Sequence, residues 1–169
     1  MPEKETLRRA RKDKREGKAP TTQAGEFVRE EMHHIREGKH GARSTKQAIA
    51  IGLSKARRSG VKLRRPPASA KRRTKQSAEY ATRAAKRGRT RPSPRRSRAT
   101  RAALKQEPRR AATRKALARQ AKSAARRRSP AARSAAARRA ARTKGPRVRS
   151  AAARTAARTR QRRRRTHAS

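Results

Sequence analysis

The sequence predicts a mostly disordered chain with α-helical segments, one small α-helical hairpin at about residues 24–60, and no β-sheet. Three observations carry that expectation. Charge comes first: 56 Lys+Arg stand against 10 Asp+Glu, a formal net charge of +46. Eight of the ten acids precede Gly38, so residues 1–37, with ten Lys/Arg, balance to +2, while residues 38–169 set forty-six Lys/Arg against Glu79 and Glu107 alone, or +44. The second observation is the shortage of core material. Of the 30% hydrophobic residues, thirty-six are alanine and fifteen are larger, nine of them between Phe27 and Leu63. Outside that stretch, apolar burial is not expected to offset a chain entropy of about 1–2 kcal/mol per residue. Third, helical periodicity with recognisable ends is confined to residues 21–65.

Residues 1–20 read as a charged mobile arm. Mixed charges from Glu3 to Asp13 permit a transient helix ended by Gly17 and Pro20, but Leu7 is the only large apolar residue after Met1. Residues 21–65 form the helical hairpin module. In its first helix Ala24, Val28, Met32 and Ile35 fall at helical spacing beside Phe27, and Arg29, Glu30, His33, Arg36 and Glu37 take the opposite side. Gly38 and Gly41 end it.

The second helix opens on Ser44-Thr45-Lys46-Gln47, a capping-box pattern in which Ser44 accepts from the Gln47 amide and Gln47 reaches back. Ile49, Leu53 and Ala56 line one face, while Ile51 points away from it. Gly60 stands where a left-handed C-cap belongs, Val61 supplies the apolar contact that accompanies it, and Pro66-Pro67 prevents continuation. The expected module core is Val28, Met32, Ile35, Ile49 and Leu53. A hairpin of roughly 45 residues is marginal alone, so a homodimer through it, or a bound partner, is the expected means of holding it.

Residues 66–169 read as a disordered Arg/Ala-rich basic tail. Arg133 to Thr143 (RSAAARRAART) repeats as Arg149 to Thr159 (RSAAARTAART), ten matches in eleven at a spacing of sixteen. Ala and Arg favour helix, but like-charge pairs such as Arg138/Arg142 and Arg154/Arg158 oppose it, so helix is expected only on a polyanion. Prolines at 92, 94, 108, 130 and 146 would keep such helices short.

Such an excess of cations needs a polyanion, with DNA favoured over RNA. The residues expected to bear phosphate contacts are Arg72, Arg73, Arg95, Arg96, Arg126, Arg127, Arg128, Arg138, Arg139, Arg142, Arg154, Arg158, Arg162, Arg163, Arg164 and Arg165. Contacts of this kind position a protein without reading sequence.

His33, His34 and His40 stand near Glu30 and Glu37, but the expected helical face leaves them as ordinary surface residues, and no metal or other cofactor is expected. With no cysteine, no Gly-rich phosphate loop and two carboxylates in the tail, no catalytic residue is expected either. The longest small or apolar run, Ala48 to Leu53, is six residues, far short of the ~20 that span a bilayer. A soluble cytoplasmic protein without a small-molecule substrate is expected, located at the nucleoid.

Two resemblances add to this. Lys12 onward (KDKREGKAPTTQAGEFVREE), with KHG and then KQAIAIGLS-x-AR, resembles a group of small basic bacterial proteins of unassigned function up to Leu63. That implies a bacterial cytoplasmic protein with a short helical module, and no activity. Ser93-Pro94-Arg95-Arg96 resembles the Ser-Pro-basic-basic unit of linker-histone tails, and the tail as a whole resembles Ala/Lys/Arg-rich chromosomal proteins in composition. The function expected is non-specific DNA binding by a histone-like, nucleoid-associated protein. The alternatives are an RNA- or ribosome-associated basic protein, or an adaptor whose hairpin binds a protein while the tail localises it.

Overall fold

The computed structural model describes residues 2–87 and 93–167, without the side chains of 144 and 162–167. Among the described residues the chain is helical and has no strand. The helices are α1 (Lys4–Arg15), α2 (Pro20–Glu37), α3 (Thr45–Arg58), α4 (Arg72–Lys86), α5 (Pro94–Gln106), α6 (Arg114–Arg126) and α7 (Pro130–His167), with a 3-10 turn at Arg109–Ala112. This overturns the expectation of a mostly disordered chain carrying a single hairpin. The chain divides inside α6 into two compact units, Met1–Gln120 and Ala121–Ser169.

In the first unit α2 and α3 run antiparallel, and a hydrophobic cluster forms at each end of the pair. Near the start of α2, Ala24 and Phe27 meet Ala56 of α3 and Ala10 of α1, flanked by Leu7, Leu53, Val61 and Leu63. Near its end, Met32 and Ile35 meet Ala42, Ala48, Ala111 and Ala112, flanked by Val28, Ile49 and Leu117. Of the expected core, Met32 and Ile35 are buried, while Val28, Ile49 and Leu53 are only half-buried. The buried line on α3 is instead Ala48, Gly52 and Ala56. Gly52 faces the α2 backbone so closely that a Cβ there would lie 2.7 Å from Val28 Cα. Small residues let the helices approach, and the larger Ile49 and Leu53 close the seam from its sides. Ile51 is half-buried, outside both clusters.

The helix ends follow the local chemistry. Ser44 Oγ accepts from the Gln47 amide at 3.2 Å, and Gln47 Oε1 reaches back to the Arg43 amide at 2.8 Å, one residue before the position a capping box uses. Gly38 (φ 79) and Gly60 (φ 87) are left-handed caps. After Gly60, the Val61 amide bonds the Ala56 carbonyl at 3.1 Å.

The segment expected to be a mobile arm folds as α1 and lies against α2. One apolar residue suffices because alanine assists: Leu7 and Ala10 reach the Phe27 cluster. Polar contacts supplement it, since the Glu3 amide bonds Glu30 Oε2 at 3.2 Å and Gln23 Nε2 bonds the Lys18 carbonyl at 2.8 Å. This packing buries Glu30, which helical spacing alone places on the solvated side.

The tail is likewise corrected. In the first unit α4 packs on α3, with Ala78 and Ala81 buried. The segment around the 3-10 turn docks on the hairpin: Ala111 and Ala112 are buried, Thr45 Oγ1 donates to the Ala111 carbonyl at 2.7 Å, and Arg36 Nε donates to the Ala112 carbonyl at 3.0 Å. The Gly41 and Ala42 amides bond the Leu104 and Pro108 carbonyls at 2.8 and 3.1 Å. Alanine serves as core where backbones come close, a role hidden when it is discounted as too small.

Elsewhere Ala and Arg propensity prevails over like-charge repulsion, which costs only ~0.2–0.5 kcal/mol per i,i+4 pair. Pro94 and Pro130 occupy helix starts, where a proline costs nothing. Pro108 is the N-cap of the 3-10 turn, and Pro146 follows the kink in α7 at Gly145 (φ 66, ψ 169). Pro92 lies outside the described residues.

Candidate nucleic-acid interface

All eight acids of the first 37 residues pair within the first unit. Glu5 meets Arg8 at 3.0 Å, Glu26 meets Arg9 at 3.7 Å, and Glu37 meets Lys39 at 3.1 Å. Asp13 and Glu16 share Lys18 at 2.8 Å each, and Glu3 meets His34 at 2.8 Å. Pairs as exposed as most of these contribute ~0–1 kcal/mol each; their effect here is to use up the carboxylates.

The exception is buried. Lys55 of α3 reaches Glu30 Oε1 at 3.1 Å and Glu31 Oε2 at 2.7 Å, with side-chain exposures of 18%, 2% and 1%. Burial alone would lower the Lys55 pKa, but hydrogen bonding and Coulomb attraction from Glu31 and Glu30 outweigh it and hold the ammonium above its ordinary value. Burial alone would raise Glu30, and hydrogen bonds from Thr6 and Lys55 outweigh that, holding its carboxyl below the ordinary range.

Among the described residues, no ion pair involves a residue beyond Lys55. Yet 42 of the 56 Lys+Arg follow Ala56, against Glu79 and Glu107 alone. The expected phosphate-contacting residues lie in this region, and all whose side chains are described are exposed. In the first unit Arg72 and Arg73 open α4, and Arg95 and Arg96 open α5, with no acid in either first turn. Cations there reinforce the positive helix end, so an anion is the favoured neighbour. Ser93-Pro94-Arg95-Arg96 is therefore the start of a helix, with Ser93 as N-cap and Pro94 behind it.

The second unit contains no acidic residue. Arg126 ends α6 and Arg127 and Arg128 follow it, while Ser129 Oγ caps α7 by accepting from the Ala132 amide at 3.2 Å. Arg138, Arg139 and Arg142 ride on the first half of α7, and Arg154 and Arg158 on the second, none of them buried. Arg162, Arg163, Arg164 and Arg165 lie in its last turns, and their side chains fall outside the described set. No described residue of this unit is buried, so α7 offers cations around its circumference and no apolar stripe. No described helix is long and apolar enough to cross a membrane.

Of the three histidines weighed from sequence, His33 is exposed on α2, as its helical position implied. His34 and His40 are not ordinary surface residues: their side chains are 13% and 14% exposed, one beside Glu3 and the other beside Glu31. The loop after Gly38 folds His40 back onto α2, which spacing along one helix could not reveal.

Residues 17–67 match a family model described as "Family of unknown function (DUF6496)". The match covers α2 and α3 with their flanks, less than a third of the chain. No curated protein and no solved structure matches the chain.

Proposed function

We propose that this protein binds nucleic acid without sequence preference, coating or compacting DNA as a nucleoid-associated protein. The observation that carries the reading is the separation of charge between the two parts of the chain. The first 55 residues neutralise their own carboxylates, while the exposed Lys and Arg that follow meet no carboxylate among the described residues. Phosphates at regular spacing supply the missing countercharge, and the release of condensed counterions drives the association. Arginines on helix surfaces suit contact with the backbone and leave base edges unread. The compositional likeness of residues 66–169 to chromosomal protein tails supports the same reading.

The test is a comparison at one fixed salt concentration, using the full chain after nuclease treatment. Two duplexes of unrelated sequence should bind with affinities within a few-fold of each other, and structured RNA should bind more weakly. A hundredfold preference for one duplex would overturn the reading, and a clear preference for RNA would move it to an RNA-associated role.

A further inference from the structure

We propose that Glu31, His34 and His40 form a binding site for a divalent first-row transition-metal ion, of which Zn2+ is the type. One donor atom from each of the three lies within 4.8 Å of the others. Glu31 and His34 are three apart on α2 and so share a face. His40 reaches them from the loop that the left-handed Gly38 turns back.

The hydrogen bonds around the two rings supply the independent argument. His34 Nε2 lies 2.8 Å from Glu3 Oε1, and His40 Nδ1 lies 2.9 Å from the Gly41 carbonyl oxygen. Both partners only accept, so those ring nitrogens carry protons. A neutral ring then leaves His34 Nδ1 and His40 Nε2 as lone-pair donors. Outer carboxylate and carbonyl partners that fix the tautomer and the ring orientation are the usual support of metal-binding histidines.

Neither open nitrogen has a hydrogen-bond partner among the described residues. His40 Nε2 does approach Glu31 Oε1 to 3.0 Å, but off the hydrogen-bond line. Donors to one ion at about 2.0–2.2 Å stand roughly 3–3.5 Å apart, so this pair is already at chelating distance. Glu31 is 1% exposed, and Lys55 Nζ stands 2.7 Å from its Oε2. The carboxylate is thus held by charge at Oε2 and faces the His40 nitrogen at Oε1.

Two imidazoles and a carboxylate suit Zn2+ and its neighbours, whereas Mg2+ and Ca2+ prefer all-oxygen sets. Of the three, His34 also borders a cavity of about 230 Å3 between α1 and α2, together with its partner Glu3.

The test uses the full chain, freed of nucleic acid by nuclease treatment and of metal by chelator, and titrated with Zn2+. The result expected is one ion per chain, a melting temperature raised by several degrees, and no response to Mg2+. Co2+ in place of Zn2+ should give the visible absorption of a low-coordinate site. His34→Ala with His40→Ala should abolish these effects, His33→Ala should leave them intact, and Glu3→Gln should weaken binding by about tenfold by removing the outer carboxylate partner. The proposal is overturned if the wild-type chain shows neither the thermal shift nor the Co2+ band, or if the His34/His40 double variant keeps both. Should that variant fail to fold, the wild-type Co2+ spectrum and the Glu3→Gln affinity decide the matter unaided.

Discussion

Lys55 bridges two carboxylates that would otherwise stand side by side out of water, and Glu30 in turn receives the Glu3 amide and Thr6 from α1. Lys55→Met removes the cation and leaves the acids, so it should cost about 3–5 kcal/mol of stability in denaturant titration. Adding Glu30→Gln and Glu31→Gln should recover most of that loss, because no uncompensated charge then remains. A cost below about 1 kcal/mol for Lys55→Met would show that this centre is solvated.

The same groups set a pH window. Glu30 sits below its ordinary 4.5 in the fold, so its contribution is complete above that value and disappears as pH falls through the lower folded one. Lys55 sits above its ordinary 10.5, so its contribution is complete below that value and disappears as pH rises through the higher one. With chelator present, the contribution of this pair to the melting temperature should be flat from about pH 5 to 10 and fall on either side. Gly52 makes a steric prediction. Gly52→Ala gains ~1 kcal/mol of helix propensity, but places its methyl 2.7 Å from Val28 Cα and 3.0 Å from Val28 N, where no flexible side-chain end can yield. Overpacking of about 1–3 kcal/mol should prevail, giving a net loss by thermal melting.

Among the elements, the docked segment from Leu104 to Ala112 connects the basic half of the first unit to the hairpin. Thr45→Val keeps the shape but leaves the Ala111 carbonyl without its donor, and should cost about 0.5–1.5 kcal/mol. Gly41→Ala should do more, because its methyl would overlap the Glu107 carbonyl and lie 3.0 Å from the Pro108 carbonyl oxygen. Hydrogen exchange should then show the Ala42 amide losing protection while α2 and α3 keep theirs; equal loss throughout would mean that the segment is integral to the hairpin. The α2–α3 pair was legible because its signals are local: Ser44 before Gln47, glycines at 38 and 60, Phe27, Met32 and Ile35 at helical spacing. The docking of α1, α4 and the 3-10 turn was not, because it depends on alanines at 10, 78, 81, 111 and 112 meeting distant partners. Alanine marks no face in a sequence full of it. Glu31 was missed for a related reason: its partners come from α3 and from the loop beyond Gly38, and neither shares its helical period.

For the whole molecule, the charge division legible in the sequence survives in the fold, although the disorder inferred from it does not. On either side of the Gly145 kink, helical geometry spaces the arginines of α7 at 1.5 Å rise per residue, and so gives defined positions to the charges that we propose meet phosphates. Removing one phosphate-binding cation should reduce the steepness of the log–log salt dependence by about 0.9 on duplex DNA. Arg138→Gln with Arg139→Gln and Arg142→Gln should therefore lower the slope without creating sequence preference, since these residues are proposed to touch the backbone alone. The measurement that bears most directly on the central claim is the affinity of the nuclease-treated full chain for one duplex between 50 and 200 mM salt. An interface of about 6–10 phosphates predicts a fall of roughly 10³–10⁵ across that range. Binding that is absent in dilute buffer, or that holds constant as salt rises, would contradict the account.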